Sequence, residues 1–306
     1  MNKIDIAILK DISGIGDVAV MKIIEFCNQK GVEDLYDLEK YSLIVTPNIT
    51  AKIQSIFSNL DFLYQKKQDE FDYYEINGIE TISINDKEYP KLLKESTNPP
   101  VILYYKGDIN LLKKDLVAVI GTRNNTKIGE TITKKTTQFL VENNFVIVSG
   151  LAKGIDTIAH KSCLENGGQT IAVLPMIDNI YPKQNQNLVD EILDNGGLIL
   201  SENRPNTRFS GALLVKRDRI QSGLSKAVFV IESSINGGSL YASNDCLKLK
   251  RKLYAPNIYK LPLEYRNLEQ VQGIKNLIDT NQAFAYDFES YEIIKNQLKE
   301  IQKTLF

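Results

Sequence analysis

The sequence predicts an α/β fold: a doubly wound, mostly parallel sheet preceded by a small all-helical domain. Three observations predict it. From Asp115 onward, short runs of β-branched and aliphatic residues at 117–121, 145–149, 170–174, 197–201, 227–231 and 252–256 alternate with helical patterns. That is the spacing of strand–helix–strand crossovers. The runs are apolar nearly throughout, as strands buried on both faces are. The first three, VAVIGTR, FVIVSGLAKGIDTIAH and TIAVLPMIDNIYP, end abruptly in Gly, Ser, Pro or a lone charge. In α/β folds such loops, at the carboxyl ends of the strands, hold phosphate-bearing ligands.

The elements follow in order. ISGIGDVAVMKIIEF sets Gly14-Ile15-Gly16 ahead of an amphipathic helix, a second helical run follows GVEDLYDLEKY, and Pro47 starts a third. The glycine pair reads either as a tight turn between packed helices or as N–H groups set against a DNA phosphate. Few positive charges surround it, so the turn is favoured. QKKQDEFDYY (65–74) is a charged helical bridge. Glu80 to Asp108 reads as strand, turn, short helix, a Pro99-Pro100 break, strand and a turn at Gly107; proline there forces an extended exit. Beyond Pro256, VQGIKNLIDTNQAFAY is expected to pack back on the sheet, and ESYEIIKNQLKEIQKTLF to form a terminal helix. The expected domains are residues 1–65 (helical, helix-hairpin-like), 66–262 (the sheet domain) and 263–306 (a C-terminal extension).

Bulk properties narrow the function. The chain of 306 residues carries 37 basic and 38 acidic side chains, a formal net charge of −1. That argues against a basic coat for duplex DNA while leaving room for a local basic groove. Cys27, Cys163 and Cys246 lack metal-ligand spacing and read as small buried residues in a reducing compartment. His160 is the only histidine, which excludes a multi-histidine metal site. No stretch is apolar enough to span a bilayer. The expectation is a cytoplasmic protein with no cofactor, no metal and no membrane partner.

The chemistry sits in four loops. Gly121-Thr122-Arg123 closes the first strand with a close-approach glycine, a hydroxyl and a planar guanidinium fork. It lacks dinucleotide G-x-G-x-x-G spacing. Ser149 to Asp156 bends between strand and helix around Gly150 and Gly154, forming an anion nest to which Lys153 adds charge. Asp156 reads as a helix cap in preference to a catalytic group, and His160 as a packed, hydrogen-bonded residue. SENRPNTRFSGALLVKRDRIQSGLS holds Arg204, Arg208, Lys216, Arg217 and Arg219 against Glu202 and Asp218. This is a local positive excess suited to a nucleic-acid groove, with Phe209 available to stack on a base. Gly237-Gly238-Ser239 again offers N–H groups and a hydroxyl. The candidate DNA-binding set is Gly121, Thr122, Arg123, Ser149, Gly150, Lys153, Gly154, Lys216, Arg217, Arg219, Gly237, Gly238 and Ser239, with no catalytic residue.

The words DKEYPKLL, NPPVILYYKGD, VAVIGTR, VSGLAKGIDTIAH, TIAVLP with DNIYP, LILSE, KRDRIQSGLS and GGSL occur in that order between Ile79 and Pro256. Together they resemble the DprA/Smf family of DNA-processing proteins. The resemblance implies an extended Rossmann-like domain that binds single-stranded DNA, commonly as a homodimer. It also implies protection of incoming DNA and its delivery to a RecA-type recombinase in natural transformation. It assigns a phosphate-contacting role to Arg123, the glycine-rich loop to Ser149–Asp156, and a basic helix start to Arg217, Asp218, Arg219 and Ile220. Asp218 stands in place of the usual asparagine, and Leu214 where a phenylalanine is common. The winged-helix unit of many members is not expected after Pro256.

Two other readings share these residues. In a nucleotide phosphoribohydrolase-like enzyme of the wider superfamily, Glu232 would assist N-glycosidic cleavage, although Gly237-Gly238-Ser239 stops short of the fuller G-G-x-G-T motif. A nucleotide-binding sensor is the other. For the DNA reading, four neutralised phosphates predict a log–log salt slope near −3.

Overall fold

The computed structural model describes residues 1–304. It divides into two compact units. One comprises Met1–Tyr89 with Thr97–Tyr105, and the other Pro90–Ser96 with the chain from Lys106 onward.

The smaller unit holds helices α1 (Lys3–Asp11), α2 (Asp17–Lys30), α3 (Leu35–Leu38), α4 (Pro47–Gln54) and α5 (Leu60–Ile76), then strand β1 (Glu80–Ser83). Local signals set the helix ends. Asn2 accepts from the amides of Ile4 and Asp5 while Asp5 returns a bond to Asn2, closing a capping box on α1. Thr46 caps α4 just before Pro47, and Gly31 ends α2 in the left-handed region at φ 69°. Ile6, Leu9, Ile23, Leu35, Leu38 and Ile53 are fully buried and form its core. After the short α6 (Lys91–Lys94), strand β2 (Ile102–Gly107) pairs antiparallel with β1, Glu80 opposite Tyr105 and Ser83 opposite Ile102.

The larger unit follows as β3 (Leu116–Ile120), α7 (Lys127–Glu142), β4 (Val146–Ser149), α8 (Ile155–Glu165), β5 (Thr170–Val173), α9 (Gln186–Asp194), β6 (Leu198–Ser201) and α10 (Gly211–Leu224). It continues with β7 (Ala227–Val230), α11 (Ser239–Lys248), β8 (Lys252–Pro256), α12 (Leu263–Arg266), α13 (Gln272–Asp279), β9 (Phe284–Tyr286) and α14 (Tyr291–Thr304). Among the described residues of this unit, seven strands run in the order β6-β5-β4-β3-β7-β8-β9, all parallel. Every residue of β3 to β7 is buried, because helices cover both faces of a parallel sheet. Residues of α7, α8 and α14 pack with Val117, Ile147 and Phe229 in one core. Helices α10 and α11 pack on each other and against β3, β7 and β8. Each fully buried aliphatic or aromatic side chain contributes about 1.5–3 kcal/mol.

The chain divides elsewhere than at 65/66 and 262/263. Helix α5 runs unbroken across 65/66, so it belongs whole to the smaller unit. The segment beyond 262 is part of the larger unit, because β9 joins β8 in parallel register with Tyr254 opposite Phe284. Burial pushes the Cys163 and Cys246 thiols up to about 12 and that of Cys27 to about 11, as for packed, unreactive cysteines. Among the described residues, no helix is long and apolar enough to cross a membrane.

Candidate nucleic-acid interface

Strand order fixes where a ligand fits. The chain winds from β3 out to β6, then returns to place β7 on the other side of β3. At such a reversal the loops leaving two adjacent strands part in opposite directions and open a crevice. Here a crevice of about 360 Å³ lies there, with Thr122, Arg123, Arg217, Asp218, Gly238 and Ser239 among its walls.

Its floor is the sheet itself. The Ile231 amide donates to Ile120 O at 3.0 Å and the Thr122 amide to Glu232 O at 2.8 Å, so β3 and β7 stay zipped beyond their last residues. Gly121 is required by a close approach: a Cβ there would lie 2.6 Å from the Ile155 side chain. Arg123 is exposed, and among the described residues it has no hydrogen-bond or ion-pair partner. It is the cation free to meet an anion in the crevice.

The glycine loop is built against that first turn. Gly154 holds φ 77°, and a Cβ on it would fall 2.4 Å from Thr122 O; the Ile155 amide donates to the same oxygen at 3.2 Å. Ser149 is fully buried and its hydroxyl donates to Val119 O at 2.7 Å, so it braces the strand tips and does not face the crevice. Asp156 is also buried. It accepts from the Ala152 amide at 3.4 Å and faces the Gly121 and Gly150 amides. The nest expected to hold an external anion is thus partly filled by the chain's own carboxyl. Burial raises the pKa of that carboxyl, against the pull of Arg217. Lys153 is exposed on this loop but does not line the crevice.

The basic helix departs most from expectation. Arg217 is buried, and its Nη1 donates to Gly150 O and, at 2.6 Å, to Val173 O; its Nε lies 3.0 Å from Asp218 Oδ1. It therefore ties the tips of β4 and β5 together as part of the crevice wall. Arg219 forks onto Glu202 through two 2.7 Å bonds, and Lys216 Nζ lies 3.0 Å from the same carboxylate. Of the five cations read along this segment, Lys216 and Arg219 thus share one carboxylate, Glu202, whose side chain is 0% exposed, while Arg204 and Arg208 are exposed. Asp218 lines the crevice and accepts from Gln221 Nε2 at 2.9 Å. Burial, with Asp156 adding repulsion, pushes its carboxyl up to about 7 against the pull of Arg217 and Arg123.

Gly237, Gly238 and Ser239 form the opposite wall at the start of α11. The Ser239 hydroxyl donates to Ser233 Oγ at 2.8 Å, while a Cβ on Gly238 would meet open space. Glu232, the one carboxylate considered for glycosidic chemistry, is fully buried. It accepts from the Thr126 amide at 2.9 Å and the Thr126 hydroxyl at 2.7 Å, anchoring the start of α7. His160 is buried, with Nδ1 2.7 Å from Thr170 Oγ1, and burial pushes its pKa down to about 3.

In the smaller unit, Gly14 is a tight turn at φ 76°, closed by the Ile15 amide on Ile12 O at 2.9 Å. Lys52 donates to Ser13 O at 3.0 Å, and Lys67 pairs with Asp11 at 2.6 Å. These lysines hold the helices together.

A family model, DNA recombination-mediator protein A, matches residues 80–298, which include every wall of the crevice. The chain belongs to this family. Relatives within it include the DNA processing protein DprA of Streptococcus pneumoniae, 43% identical over 59% of this chain and 64% of that protein. The DprA of Bacillus subtilis is 34% identical over 67% of this chain and 69% of its own. The chain thus aligns with just under two thirds of the pneumococcal sequence. Among solved structures, pneumococcal DprA superposes with a TM-score of 0.76 at 33% identity, covering 94% of this chain and 95% of that one. DprA of Helicobacter pylori, whose structure describes a single-stranded DNA binding mode, superposes at 0.62 and 30% identity over 72% of this chain and 96% of its own. The solved DprA structures thus share this chain's fold.

Proposed function

We propose that this chain binds single-stranded DNA in the β3/β7 crevice, holding it by the backbone without altering it. The observation that carries this reading is Arg123: an exposed, unpaired guanidinium on a strand-tip loop that faces Gly237-Gly238-Ser239 across a preformed cleft. A phosphate seated there meets a planar fork on one side and the start of α11 on the other. Arg217 contributes field from the wall, and Lys153 adds charge at the rim. The Helicobacter relative's single-strand binding supports the choice of ligand. The commitment of Glu232 to Thr126 withdraws from the crevice the one carboxylate weighed for glycosidic hydrolysis, which favours binding.

The same reading extends to the role implied by the family's description as a recombination mediator. In it the chain, acting as a homodimer in the cytoplasm, hands a captured strand to a RecA-type recombinase during uptake of DNA. The primary test is equilibrium binding of fluorescent oligo(dT) and of duplex of equal length across a salt series. Tighter single-strand binding, weakened about tenfold by Arg123→Ala, is expected. Salt-independent binding, or full affinity in that variant, would overturn the proposal.

A further inference from the structure

Tyr181 and Phe209 stack face to face, ring centroids 4.6 Å apart and planes 30° from parallel, yet they remain 38% and 39% exposed. Two large rings paired at the surface leave apolar area in water. They lie on different loops, Tyr181 after β5 and Phe209 after β6, at the carboxyl edge of the sheet that also bears the crevice. Hydrogen bonds fix the loops in place. Asn203 Nδ2 donates to Pro175 O at 2.8 Å, joining the two loops. Asn185 Nδ2 donates to Leu151 O at 2.8 Å, joining the Tyr181 loop to the glycine loop beside Arg123. Arg217 binds the last carbonyl of β5 from the crevice wall. The tips of β5 and β6 lie two and three strand spacings from that of β3, about 10 and 14 Å, a span that a few nucleotides of one strand cover. Exposed Lys183 and Arg208 neighbour the rings in sequence, and Asp178, which accepts from the Asn206 amide, is the opposing charge on these loops.

We propose that the Tyr181–Phe209 pair is a base-stacking platform, taking unpaired bases next to the phosphates held in the crevice. The proposal rests on the single-strand reading above and adds a subsite to it. Stacking on a ring tolerates any base but needs the base's flat face free, so it selects single strands over duplex. The platform also supplies an aromatic surface to a segment where position 214 is leucine.

The test compares wild type, Phe209→Ala, Tyr181→Ala and the double variant for binding to oligo(dT) and to an abasic deoxyribose-phosphate oligomer of equal length. Wild type is expected to prefer oligo(dT) about tenfold, and the double variant to lose that preference while keeping the salt slope. Because the chain contains no tryptophan, Phe209→Trp supplies a single fluorophore whose emission is expected to be quenched by oligo(dT). Equal affinity of wild type for the abasic oligomer, or of Phe209→Ala for oligo(dT), overturns the platform while leaving the crevice reading intact. A wild type that binds no single strand overturns both. Should Tyr181→Ala fail to fold, the abasic comparison on wild type and Phe209→Ala still decides.

Discussion

Glu202 takes both terminal nitrogens of Arg219 at 2.7 Å while its own side chain is wholly withdrawn from water. A buried carboxylate is tolerated only when paired, so the two residues stabilise each other and neither is available to a ligand. Glu202→Gln keeps the shape and loses the charge; a stability loss of about 1–2 kcal/mol is expected, read as a lower urea midpoint. Arg219→Ala, in turn, is expected to leave the salt slope of oligonucleotide binding unchanged, whereas Arg123→Ala reduces it by about 0.7.

The wild-type slope itself is a second prediction. If the five cations assigned to DNA, Arg123, Lys153, Lys216, Arg217 and Arg219, neutralise about four phosphates, the slope is near −3. With Lys216 and Arg219 held by Glu202 and Arg217 bound to carbonyls, Arg123 and Lys153 remain of those five. Two neutralised phosphates give a slope of about −1.5, measurable by fluorescence anisotropy between low and moderate salt.

Gly154→Ala tests the seam between the first two loops. Its positive φ and the 2.4 Å approach of Thr122 O predict a loss of about 3 kcal/mol together with weakened oligonucleotide binding. Gly238→Ala meets nothing within 4 Å; its stability is expected to match wild type within about 0.5 kcal/mol.

Asp218 sets a pH dependence. Its folded pKa, about 7, lies above the unfolded carboxylate value, so the folded state holds the extra proton and this group's contribution to stability falls as pH rises from about 4 to 7. His160 acts in the opposite sense: its folded value of about 3 lies below the unfolded one, so its contribution is lost as pH falls from about 6.5 toward 3. Asp218→Asn is therefore expected to steepen the rise of stability with pH between 4 and 6.5, as urea titrations would show. Oligonucleotide affinity of wild type is expected to strengthen below pH 7, when Asp218 is neutral, and that of Asp218→Asn to be stronger at pH 8.

Much of this architecture could be read from residue order. All six strands placed from apolar runs are present, since a strand buried on both faces reads as a nearly continuous apolar run. Strand β9 was not: Phe284–Tyr286 spans three residues, two of them exposed, and takes its place only from pairing with β8. The crevice loops were legible because Gly121, Gly154 and Gly237 serve local backbone needs. The fates of Arg217 and Arg219 were not, because charge counts along a chain omit the partner that folding brings from another loop. Tyr181 was passed over for the same reason, as its role as an aromatic surface depends on Phe209, 28 positions further on.

The hydrogen bond from the Thr122 amide to Glu232 O carries the central strands past their ends and into the base of the cleft. The base of the receiving surface is thereby continuous with the buried central strands, and its amides are expected to be among the slowest of the larger unit to exchange with deuterium. A ligand arriving there meets backbone already in place, so the entropy spent on capture is mainly that of side chains such as Arg123.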